Sequence, residues 1–125
     1  MEKYTQKMYS YKLMKFTDFD VYQKKCKKTA IYPIIGKGFV YPTLGLLGEA
    51  GEVAEKVKKI FRDEKGKITK EKKKEIAKEL GDVMWYLSQI STELGVKLSK
   101  VVELNLEKLS SRKLRDKLHG SGDNR

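Results

Sequence analysis

The strongest constraint on this chain is a pair of long apolar patterns with the α-helical period, separated by a short polar segment. In the first, Leu46, Leu47, Ala50, Val53, Ala54, Val57, Ile60 and Phe61 recur at three- and four-residue steps. In the second, Ile76, Leu80, Val83, Met84, Leu87, Ile90 and Leu94 do the same. Between them, RDEKGKI offers Gly66 as the turn residue and Thr69 as a helix cap. Pro42 stands where a helix accepts a first-turn proline. No stretch alternates with period two, so strands do not organise this fold. Two shorter helices flank the pair. Thr17 or Asp18 caps the first, whose apolar face is Phe19, Tyr22 and Cys26 and which ends near Thr29. Ile31 to Tyr41, with Pro33, Gly36 and Gly38, reads as a loop. Gly95 closes the third helix, and Ser99 caps a fourth through Val101, Val102, Leu104, Leu106 and Leu109. The expected fold is all-α: a helical bundle built on a central antiparallel hairpin.

Composition narrows the class. At 125 residues the chain supplies one domain, and 39% hydrophobic residues are enough for a folded one. No apolar run is long enough to span a bilayer. MEKYTQKMYSYKLMKF has no apolar core for a signal peptide, and the lone Cys26 fits a reducing compartment and a core position. A cytoplasmic protein without membrane contact is therefore expected. The net charge of +11 points to a polyanionic partner. Only Arg62, Arg112, Arg115 and Arg125 are arginines, however, and lysine-rich helix faces are poor base readers.

The acids are more systematic than surface filler. Glu49 and Glu52 lie three apart on the first long helix, Glu79 and Asp82 three apart on the second. At about 100° per residue, Glu49 borders its apolar stripe and Glu52 lies about 60° further out, and Glu79 and Asp82 repeat those positions. An antiparallel pair keeps equal rotational positions on one side. The midpoints of Glu52–Glu79 and Glu49–Asp82 both fall at Lys65–Gly66, so all four carboxylates reach one level of the hairpin. Two like charges about 5 Å apart at an effective dielectric near 20 repel by about 3 kcal/mol. Such a cluster must protonate, pair with lysines or bind a cation, and an all-oxygen donor set suits Mg²⁺ or Mn²⁺.

LGLLGEAGEVAEKVKK followed by KELGDVMWYLSQI resembles the MazG-like, all-α nucleoside triphosphate pyrophosphohydrolases. Their signature, E-x-x-E then E-x-x-D, is filled by Glu49, Glu52, Glu79 and Asp82, with 26 residues between the inner pair. NLEKLSSR and the closing GSGDNR extend the likeness, so the domain is taken as residues 16–125 behind an arm of residues 1–15. The resemblance implies Mg²⁺-dependent cleavage of an NTP or dNTP to the monophosphate and pyrophosphate, as nucleotide-pool housekeeping. It also implies that the hairpin carries the active site with Mg²⁺ on those four acids, and that the protein is a homodimer or homotetramer. Glu52, helped by Glu49, is the candidate base for the attacking water.

The resemblance brings further residues to the triphosphate: Asn105 and Lys108 on the fourth helix, Arg112 one turn on, and Asp123 and Arg125 in the tail 119–125. Lys56 and Lys59 either neutralise phosphate or pair with glutamates; Tyr86 either stacks on the base or packs in the core. Trp85, pointing away from its helix's stripe, is expected at a subunit interface. The linker RKLRDKLH has no glycine where a turn is needed before GSGD. His119, the one histidine, lies near the C-terminus, and no Walker-type phosphate loop is present. Two other readings compete with the enzyme: a basic helical protein associated with nucleic acid without catalysis, and a family member that binds nucleotide without cleaving it. The intact acids favour the enzyme, and nucleic acid is not the expected partner.

Overall fold

The computed structural model describes residues 18–125, so the expected arm of residues 1–15 and the alternative cap Thr17 lie outside it. Within it the chain is all-α: α1 (Phe19–Lys27), α2 (Val40–Glu64), α3 (Lys70–Glu93) and α4 (Leu98–Leu114). The described residues contain no strand, only an isolated bridge between Ile35 and Lys37.

Local chemistry sets most helix ends. The Asp18 carboxylate accepts from the Val21 amide at 2.8 Å and opens α1, which stops two residues short of Thr29. Helix α2 begins two residues before Pro42, whose ring falls in the first turn, where a missing N–H breaks no helical bond. It ends on two left-handed residues, Lys65 (φ 54°) and Gly66 (φ 80°), and the Gly66 amide reaches back to the Ile60 carbonyl at 3.1 Å. Thr69 caps α3 by accepting from the Lys72 amide at 3.2 Å.

The start of α4 departs from the expected Ser99 cap. Lys97 is the cap residue and contributes no side-chain bond. Two side chains of α1 serve instead: Gln23 Oε1 accepts from the Leu98 amide at 2.8 Å, and Asp20 accepts from the Ser99 amide (3.1 Å) and hydroxyl (2.9 Å). The first free amides of α4 are thus capped across the fold, which ties α1 to it.

Helices α2 and α3 form the main packing pair. Their contacts run in opposite order along the chain: Gly38 meets the Glu93 carboxylate, Gly45 the Tyr86 ring, and Lys56 meets Glu79. A β-carbon at Gly45 would penetrate that ring, so glycine is required there for the close approach. Helix α3 also carries α1 and the start of α4, whereas α2 touches no other helix among the described residues. The apolar stripes of α2 and α3 consequently divide. Leu46, Val53, Ile60, Ile76, Val83 and Ile90 turn inward, with Ile60 fully buried. One position round, Leu47 (67% exposed), Phe61 (70%), Leu80, Met84 and Leu87 remain open.

Trp85 points away from the open stripe, as its position in the sequence implies, toward the segment that follows α1. Its indole N–H donates to Thr29 Oγ1 at 2.8 Å, and its ring meets Tyr32 and Tyr86 edge-on at 6.2 and 5.0 Å. An aromatic ring with a polar edge finds its partners in the segment following α1. Cys26 is buried, and its carbonyl accepts from Gln89 Nε2 at 2.8 Å.

Candidate metal centre

Helices α2 and α3 bring carboxylates together at mid-height of their contact. Glu49 and Glu79 lie on the inward rows, half-buried, and Asp82 lies beside them at the exposed edge. One oxygen from each of the three falls within 4.8 Å of the other two. Burial first, then the charges of Asp82, Glu79 and Glu52, pushes the Glu49 carboxyl above the ordinary range. Glu52 is exposed and stands outside this close group, acting on Glu49 through its charge.

One cation enters the cluster. Lys56 Nζ lies 3.3 Å from Glu79 Oε1, with both side chains about three-quarters buried (27% and 20% exposed). Lys59 turns outward and pairs with Glu55 at 3.7 Å. Tyr86 borders the acids; burial raises its phenol, and the charges of Tyr41, Glu49 and Asp82 add to the effect. Tyr22 reaches the same region from α1, its phenol raised by burial, then by Cys26 and the charge of Asp82. The sequence carries no motif for Tyr22 or Tyr41, and Tyr22 reads there as one more apolar-face residue. Beyond them Tyr32 stacks on Tyr41 at 5.4 Å and donates to Glu93 at 2.8 Å, its own phenol pushed up to about 12 by burial and that bond.

A second charged centre occupies the end of α4. Asn105 and Lys108 line an open groove of about 520 Å³ with Val101, Leu104, Asp123 and Asn124. Lys108 Nζ is 3.3 Å from Asp123 Oδ1, and this bond, with Arg112 nearby, holds the Asp123 carboxyl below the usual range. Arg112 is buried, and its Nη2 donates to the carbonyls of Asp123 (2.8 Å) and Gly122 (3.3 Å). Arg125 turns back on the tail, donating to the carbonyls of Gly122, Leu118 and Lys117. Arg115, which no sequence pattern singles out, secures the last residue through the Arg125 carbonyl at 2.9 Å. The missing turn glycine is replaced by Asp116, left-handed at φ 54°, with the Lys117 amide bonded to the Arg112 carbonyl at 2.7 Å. Aspartate tolerates that conformation better than most residues. The tail cluster is built on α4 and the carboxylates on α2 and α3; among the described residues α4 packs on α1 and α3 and not on α2.

A further cavity of about 300 Å³ lies between α1 and the α3–α4 turn. Of its polar lining, Asp20, Gln23 and Thr92 are engaged in holding α4 and the turn, and Lys24, Lys27 and Lys97 complete the rim.

Three carboxylates with no histidine or thiol among them form a hard, all-oxygen donor set carrying more negative charge than Lys56 neutralises. That chemistry fits a divalent cation of the magnesium or manganese kind. Comparison with known proteins points the same way. Residues 42–115 match the family model described as the MazG nucleotide pyrophosphohydrolase domain, a span that includes all four signature acids. The chain is 53% identical over 111 residues to the Gene 37 protein of Mycobacterium phage L5, covering 85% of this chain and 97% of the phage protein. No solved structure matches.

Proposed function

Because the chain belongs to the MazG nucleotide pyrophosphohydrolase family, we propose that it hydrolyses a nucleoside or deoxynucleoside triphosphate to the monophosphate and pyrophosphate, using Mg²⁺. The observation that carries this reading is the convergence of Glu49, Glu79 and Asp82 within 4.8 Å across two helices. These three would hold the metal, with Glu52 at their edge. When bound, the ion would polarise phosphoryl oxygens and acidify a water. Glu52, less crowded by its neighbours, is positioned to accept that water's proton. Lys56 would meet a phosphate beside Glu79. Tyr86 borders the acids where a base could stack, although its ring is already seated on Gly45.

The protein is further proposed to act as a homodimer or homotetramer. Among the described residues only Cys26, Ile60 and Leu98 are buried apolar side chains besides Pro42, which is little for a chain of this size to fold on. The open row of Leu47, Phe61, Leu80, Met84 and Leu87 is what a second copy would cover. In such an assembly the Asn105–Lys108 groove and the tail of one copy could approach another copy's acids, which gives the second centre a substrate role. Housekeeping of the nucleotide pool in the cytoplasm is the setting this chemistry suits.

The test is a panel of NTPs and dNTPs with Mg²⁺, read by pyrophosphate release. Release from at least one nucleotide, abolished in Asp82→Asn and in Glu52→Gln, is expected. No release from any of them, or release unchanged in both variants, would overturn the reading.

A further inference from the structure

We propose that the Lys56 ammonium is an internal stand-in for the divalent cation: it neutralises the carboxylate cluster when no metal is bound and gives way when metal arrives. The inference rests on the metal-site reading above and adds a competition within it.

The position of Lys56 is unusual for a lysine. It lies on the inward row of α2, between Val53 and Ile60 and two turns beyond Glu49. A charge placed there is costly unless paired, and its partner is Glu79, one of the three converging acids. Neighbouring lysines behave differently. Lys58 and Lys59 are 61% and 48% exposed and both pair with Glu55, outside the cluster. Among the described residues, Lys56 is the one lysine ion-paired with a member of that cluster.

The consequence follows from charge alone. Without the ammonium, three carboxylates repel across a few ångströms; with it, one of them is neutralised. A second cation arriving at Glu79 is then opposed by the first. A lysine's flexible four-carbon stem lets its ammonium withdraw from Glu79 and remain beside the site, where an incoming phosphate would take it up. An arginine would keep the charge, whereas methionine or glutamine removes it at similar length.

The experiment measures Mn²⁺ binding to the full chain without nucleotide, by paramagnetic resonance of free Mn²⁺, alongside thermal unfolding with and without Mn²⁺. For Lys56→Met the expected result is binding about tenfold tighter than wild type, below the full Coulomb repulsion because the site opens to water. Its metal-free Tm should fall and its gain in Tm on adding Mn²⁺ should exceed that of wild type. Lys56→Arg should bind Mn²⁺ about as wild type does. Lys56→Gln repeats the test should the methionine variant fail to fold. Binding no tighter in the neutral variants, or equally tightened in Lys56→Arg, overturns the competition while leaving the metal site intact. Absence of Mn²⁺ binding in wild type and in the neutral variants alike overturns both.

Discussion

On α2 and α3, three carboxylates lean toward one another with a single ammonium beside them. At the end of α4, Arg112, Arg115 and Arg125 close on backbone carbonyls and Lys108 on the carboxylate of Asp123. The first centre holds like charges in a strained balance; the second matches opposite charges and satisfies most of its donors. Groups held against their own repulsion are available to a ligand, because a ligand relieves them. Groups already matched to one another stabilise the place they occupy, and any ligand must displace a partner. The helix pair is thus the centre with charge left over for a ligand, and within a single chain the tail is held by its own contacts.

Substitutions can break this contrast, and the largest effect is expected at the acids. Asp82→Asn should lower pyrophosphate release on the order of a thousandfold, measured as kcat/KM, while leaving the circular dichroism spectrum unchanged. Arg112→Met should instead act on stability. Its carbonyl acceptors are left behind a buried side chain, so stability should drop by about 2 kcal/mol in urea unfolding. A smaller effect is expected at Glu49. Burial and repulsion raise its carboxyl, so its charged form disfavours the fold without metal. Glu49→Gln should therefore raise the metal-free Tm at neutral pH by about a few degrees and weaken Mn²⁺ binding.

The smallest effect concerns the tail and pH. Asp123 sits below the ordinary carboxylate range because Lys108 and Arg112 favour its charged form. A lowered folded value contributes stability above the ordinary range and loses it as pH falls through the folded value. Protection of the Gly120–Gly122 segment from amide exchange should persist on acidification past the point where free aspartate titrates, then fail. In Asp123→Asn the protection should be weaker and show no such step.

The helices were legible in the sequence because their signals are local. Asp18, Thr69, Gly66 and Gly95 act within a few residues, and the apolar period needs only its own segment. The spacing of Glu49, Glu52, Glu79 and Asp82 was readable for the same reason, since an antiparallel contact with a known turn fixes height. Where the reading missed, the partner came from elsewhere in the chain. Ser99 looks like a cap, yet its helix is capped by Asp20 and Gln23 from α1. Trp85 does point away from its own stripe, but the partners it finds there, Thr29 and Tyr32, are visible only in the fold. That Arg125 donates to carbonyls of its own tail is likewise visible only in the fold.

By itself, then, the sequence determined an all-α chain, its four helices and the four acids, because hydrophobic period, caps and residue spacing act along the backbone. Tertiary structure alone decided that three of those acids close together while Glu52 stands apart, that Lys56 and not Lys59 joins them, and that the tail folds onto α4. Those outcomes depend on which face each helix turns to its neighbour, and a rotation of one residue, about 100°, is enough to move a side chain from the cluster to solvent.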